Sequence, residues 1–104
     1  NPPDVEFNGF LAEGYELTPG SDAEALLATV HESVMQSALS EITSLAYLDA
    51  RVFALYADTP CLVYGPQSDN IHGFNERVSI ESIRGITKTL ALFTANWCGL
   101  EPVS

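Results

Sequence analysis

The stretch Tyr64–Ser79, YGPQSDNIHGFNERVS, sets the architecture, because it is a polar loop held between two apolar elements. It holds one of the two histidines, His72, two glycines, Gly65 and Gly73, and a crowd of polar residues: Gln67, Ser68, Asp69, Asn70, Asn75 and Glu76. The strand-like run Thr59–Tyr64 leads in, and a helix-like run from Val78–Ser79 leads out. In α/β proteins such loops commonly carry the chemistry, which makes His72 a candidate ligand or catalytic group. A lone loop histidine is more often a surface residue or a hydrogen-bonded spacer, and a zinc site takes about four ligands. The chain has no HxH, HExxH or CxxC motif, so local motifs cannot complete a metal site around His72.

Working back from the loop, Cys61–Tyr64 reads as a short buried strand and Ala50–Ala57 as a short helix with Asp49 as its N-cap. Ile42–Leu48 (ITSLAYL) is rich in β-branched and apolar residues and reads as another strand. Ser21-Asp22-Ala23-Glu24 is a capping box opening a helix over 22–36. Leu26, Leu27, Val30 and Val34 form its apolar stripe. His31 lies at the edge of that stripe and reads as a partly buried or surface histidine, with no partner at metal-ligand spacing. Val5–Leu17 alternates roughly and reads as an extended strand, bent or shifted in phase by Gly9 and Gly14.

Forward from the loop, Ser79 caps a long helix over 80–98. Ile83, Ile86, Leu90, Phe93 and Trp97 give it one apolar face, expected to be core. Gly85 within that helix points to close helix packing or a bare backbone approach, and Gly99 to a C-terminal stop. The order strand, helix, strand, helix, strand, loop, helix defines an α/β chain with right-handed crossovers. Three strands make a thin sheet, so further strands are expected beside the one at 61–64.

Composition bounds the function. A 104-residue chain with 46% hydrophobic residues makes one small domain or a piece of a larger one, and can build a core despite a net charge of −10. Residues 1–50 carry nine Asp/Glu and no Lys or Arg, whereas residues 51–104 carry five acids against Arg51, Arg77, Arg84 and Lys88. That balance argues against nucleic acid and against anionic membrane surfaces. No apolar run reaches the roughly 18–20 residues of a spanning helix, and no signal peptide is visible. The first residue is Asn1, so the natural start of the polypeptide can lie upstream. Cys61 and Cys98 read as reduced, structural residues.

Tyr64-Gly65-Pro66, Asn70-Ile71-His72, Asn75-Glu76 and Val78-Ser79-Ile80 together resemble the C-terminal signature of the dizinc metallopeptidase and N-acyl-amino-acid amidohydrolase superfamily. This is the superfamily of acetylornithine deacetylase and succinyl-diaminopimelate desuccinylase. Tyr47-Leu48-Asp49-Ala50-Arg51 resembles its Thr-Ser-Asp-(Ala/Gly)-Arg stretch. The resemblance runs through nearly the whole chain in the same order.

It implies a fold class of α/β: part of a three-layer, phosphorylase/hydrolase-like catalytic domain, a mixed sheet with flanking helices. Residues 1–18 would be the exit strand of a lid or dimerisation domain, and residues 19–104 the C-terminal segment of the catalytic domain. It implies that His72 is a metal ligand, one of those holding two Zn(2+) ions in the intact parent, with Co or Mn as alternatives. It implies that Arg51 binds the substrate carboxylate; read alone, Arg51 is a surface arginine in a salt bridge worth about 0–1 kcal/mol. No role follows for Glu76.

The implied substrate is an N-acyl amino acid or small peptide, and the implied reaction is hydrolysis of its C–N amide bond in a cytoplasmic parent enzyme dimerised through the lid. Tyr47 stands where relatives often have a substrate-touching threonine. The remaining ligands and the glutamate general base would lie upstream, so no catalytic residue is assigned here and this chain alone is expected to be inactive. The alternative is a non-catalytic acidic α/β module that mediates assembly through an exposed sheet edge.

Overall fold

A computed structural model describes residues 1–103. The described residues form a small mixed α/β chain of three helices and one two-stranded sheet: α1 (Asp22–Met35), α2 (Ala50–Tyr56), β1 (Ser68–Asp69), β2 (Arg77–Val78) and α3 (Ile80–Cys98). It divides into two compact units. The first comprises Asn1–Leu17 and Ser44–Leu62; the second comprises Thr18–Thr43 and the described chain from Val63 onward.

In the second unit, α1 starts where the capping box places it. The Ser21 hydroxyl accepts from the Glu24 N–H at 3.2 Å, but the Glu24 carboxylate reaches back to the Gly20 N–H at 2.9 Å instead of to Ser21. Gln36 ends the helix in the left-handed region, φ 54°. The same device opens α3: Ser79 Oγ accepts from the Ser82 N–H at 3.2 Å, satisfying one of the free amide donors of the first turn. Gly99, φ 81°, closes α3 with its N–H on the Ala95 carbonyl. Replacing Ser79 by alanine is expected to cost about 1 kcal/mol, read as a lowered urea midpoint at unchanged slope.

The core of this unit is the contact of α1 with α3. Leu27 and Val30 are buried on α1; Ser82, Gly85 and Thr89 are buried on α3. The expected apolar core stripe of α3 is thereby corrected. Leu90 and Trp97 are 44% and 55% exposed, and the buried face lies beside the stripe, on small residues. Small side chains let two helix backbones approach; a Cβ at Gly85 would run into the Met35 thioether of α1. The buried hydroxyls on this face are satisfied: Thr89 Oγ1 donates to the Gly85 carbonyl at 3.1 Å, and Ser82 Oγ accepts from the Gln67 N–H at 2.7 Å.

In the first unit α2 forms one residue shorter than expected, and Asp49 holds its N-cap position as expected, but with a helical backbone and no side-chain capping bond. α2 buries no residue. The three expected strands are a second correction, because Val5–Leu17, Ile42–Leu48 and Cys61–Tyr64 join no ladder. A strand is held by its neighbours' backbone groups and side chains, and the described residues supply none here. Phe7 and Leu45 accordingly stand 90% and 99% exposed. No right-handed crossover forms among the described residues, since the one sheet is the antiparallel pair β1–β2. Among the described residues no helix is long and apolar enough to cross a membrane.

Candidate functional site

The loop resolves into a hairpin. Ser68 pairs with Val78 and Asp69 with Arg77, and the Arg77 Nε–Asp69 Oδ2 ion pair, 2.9 Å and exposed, closes its base. Such exposed pairs contribute little stability and serve mainly to hold register. The Gly73 N–H donates to the Asn70 carbonyl at 2.7 Å, making a tight turn at the tip.

Three non-glycine residues take positive φ there: Asn70 at 54°, His72 at 63° and Asn75 at 59°. Asn and His are among the residue types that tolerate this region best, at a cost of order 1 kcal/mol. The asparagines and His72, and not the glycines of the loop, therefore shape the tip. His72 is exposed on it, displayed and not packed. Glu76 is also exposed, one residue before β2.

The hairpin is tied to both long helices of its unit. Gln67 is a double anchor: its N–H donates to Ser82 Oγ, and its carbonyl accepts from the Ser79 N–H at 2.9 Å. Upstream, the Tyr64 hydroxyl lies 2.7 Å from His31 Nδ1, with the rings edge-on at 87° and 5.7 Å between centroids. A depression of about 510 Å³ runs along the hairpin base beside Asp69 and Arg77, and a smaller one of about 260 Å³ lies between Met35, Gly85 and Lys88. His72 lines neither of these two.

Arg51 belongs to the other unit. Its guanidinium carbon lies 5.3 Å from the centre of the ring of Tyr47, which precedes α2, a cation–π contact between residues four apart. Tyr47 in turn meets Phe10 edge-on, 5.3 Å between centroids. The Tyr56 side chain raises the already high pKa of Arg51 by hydrogen bonding; burial opposes that, and Tyr47 adds to it. Arg51 Nε and Nη1 are buried with no hydrogen-bond partner among the described residues. The expected salt bridge is absent there: the two ion pairs are Arg77–Asp69 and Arg84–Glu81. An unanswered buried guanidinium donor is costly, so Nε and Nη1 are the two positions of Arg51 open to a further acceptor.

A metal fits these residues only in part. His72 supplies one exposed imidazole, and no three His, Cys, Asp or Glu side chains gather into a metal site among the described residues. Cys61 and Cys98 are free thiols, Cys61 half-buried and Cys98 exposed. Reading by spacing missed the His31–Tyr64 pair, whose members lie 33 residues apart. It also missed the hairpin itself, although the oppositely charged Asp69 and Arg77 flanking an Asn-rich tip were a usable signal.

This is an α/β chain that presents a single histidine on a helix-anchored hairpin. No protein-family model matches it. It is similar to the N-formyl-4-amino-5-aminomethyl-2-methylpyrimidine deformylase of Bacillus subtilis (strain 168), 30% identical over 95 residues that cover 90% of this chain and 22% of the relative. It is also similar to the protein of the same name from Halalkalibacterium halodurans, 29% identical over 98 residues that cover 93% of this chain and 23% of the relative. The chain thus spans under a quarter of the length of the curated relatives it matches.

Proposed function

We propose that this chain is a segment of a metal-dependent amidohydrolase of the dizinc metallopeptidase and amidohydrolase superfamily, and that the parent cleaves the C–N bond of a small N-acyl amine. The reading is carried by the placement of His72, exposed at the tip of a hairpin that is tied to two helices. Support comes from the deformylases that match nine-tenths of the chain. In such an enzyme the bound metal supplies Lewis acidity, lowering the pKa of a water and polarising the acyl oxygen. His72 would supply one imidazole to hold that metal, and the other ligands and the general base would come from outside these residues. The unpaired extended segments, with Phe7 and Leu45 bare, are the strands of a larger sheet completed by the same polypeptide.

The acyl group favoured is formyl, on the names of the relatives. A second substrate reading, an N-acyl amino acid, has one observation behind it: Arg51 Nε and Nη1 have no partner and suit a carboxylate. Stripping the full-length protein with a chelator is expected to abolish release of formate from an N-formyl amine, and added zinc to restore it. Activity that survives stripping overturns the metal-dependent reading. Arg51→Lys separates the two substrates. A KM rise of about tenfold or more confined to N-acyl amino acids assigns Arg51 to their carboxylate; equal KM values in wild type and variant remove it.

A further inference from the structure

We propose that His31 and Tyr64 are positioning residues, which pin the root of the hairpin so that His72 is held where a metal can take it. The inference rests on the reading of His72 as a ligand, and extends it to two residues that touch neither substrate nor metal.

The argument starts from what else could hold the root. Gly65 has open space around it and no side chain to pack, and Pro66 has no N–H to donate. Gln67 is bonded to α3, but the chain entering it would swing on Gly65 unless Tyr64 were fixed. Tyr64 is fixed, by a 2.7 Å hydrogen bond to His31 Nδ1 and by an edge-on ring contact. His31 is half-buried and rooted in α1, one residue past Val30, which is buried in the contact of α1 with α3.

The loop root is therefore strung between the two helices, Tyr64 on α1 and Gln67 on α3. Ser79 closes the far end on Gln67. A tyrosine hydroxyl both donates and accepts, so the pair bonds with either imidazole tautomer. The restraint matters because a flexible ligand must be ordered before it can bind, and groups that orient a ligand from behind it change metal affinity without touching the metal.

Tyr64→Phe keeps the ring and removes only the hydroxyl. In the full-length protein it is expected to speed amide hydrogen exchange across residues 67–79 about fivefold, the equivalent of one net hydrogen bond. Exchange in the middle of α3 should stay unchanged, showing that the fold is intact. Zinc affinity, read by chelator competition, should weaken by a similar factor. His31→Phe should match Tyr64→Phe, and His31→Gln, which keeps a hydrogen-bonding side chain, should recover part of both effects.

Unchanged exchange over 67–79 in Tyr64→Phe overturns the proposal. So does faster exchange with unchanged zinc affinity, if His72→Ala in the same assay loses the metal; the assignment of His72 then survives. Zinc binding that persists in His72→Ala overturns the ligand reading itself and this proposal with it.

Discussion

His72→Ala in the full-length protein is expected to remove zinc from the site and to lower kcat/KM for an N-formyl amine by more than about 100-fold. The size follows from the role. Changes to groups that merely orient a metal ligand cost about 10–100-fold, and loss of a ligand should cost at least the upper figure. The structure makes the experiment clean, because His72 is exposed at the tip and packs no core. Relieving its positive φ by alanine brings no gain, since alanine tolerates that region no better. The fold should therefore survive, with the metal-free variant within about 0.5 kcal/mol of the metal-free wild type. Metal content measured on the purified protein reads the ligand role directly, and retention of full zinc with full activity takes His72 out of the site.

The second large effect falls on stability. Gly85→Val is expected to destabilise the protein by about 2 kcal/mol, within the range for overpacking a close contact. The Met35 sulfur occupies the space a Cβ would need at this position, and Met35 Cε would lie 3.0 Å from it. Alanine is a different case. The obstructing atoms are the flexible end of a methionine, which can swing away, and a helix interior gains about 1 kcal/mol when glycine becomes alanine. Gly85→Ala should thus lie near neutral, and the step from alanine to valine should carry the loss. Met35→Ala in the valine background should restore part of it, a coupling that a double-mutant cycle measures from urea midpoints. Independence of the two sites would show that α1 and α3 do not meet there.

The glycine and the histidine illustrate different kinds of legibility. Gly85 in mid-helix signals a close approach of some kind by its residue type alone, and the structure decides for helix packing and supplies the neighbour, Met35. His72 stands out through its polar loop, but the left-handed turns at Asn70, His72 and Asn75 that display it come from the hairpin's closure. Ser21 and Ser79 were readable as helix starts because capping is a bond between residues three apart. Asp49 looked equally good, yet its backbone continues the helix and its side chain goes unused, so residue type alone was insufficient. The α3 stripe misled for a related reason: periodicity reports which face is apolar, not which face a partner helix can approach. The bare surface of Gly85 decided that.

What the amino-acid sequence determined by itself was each helix of the described residues, to within a residue or two, and the loop that matters. Helix bonds and caps join residues three or four apart, so the information is local. What only the tertiary structure decided was the pairing of His31 with Tyr64, the unanswered donors of Arg51 and the idle state of the strand-like segments. Each depends on which distant groups meet, or fail to meet, and no local pattern encodes that.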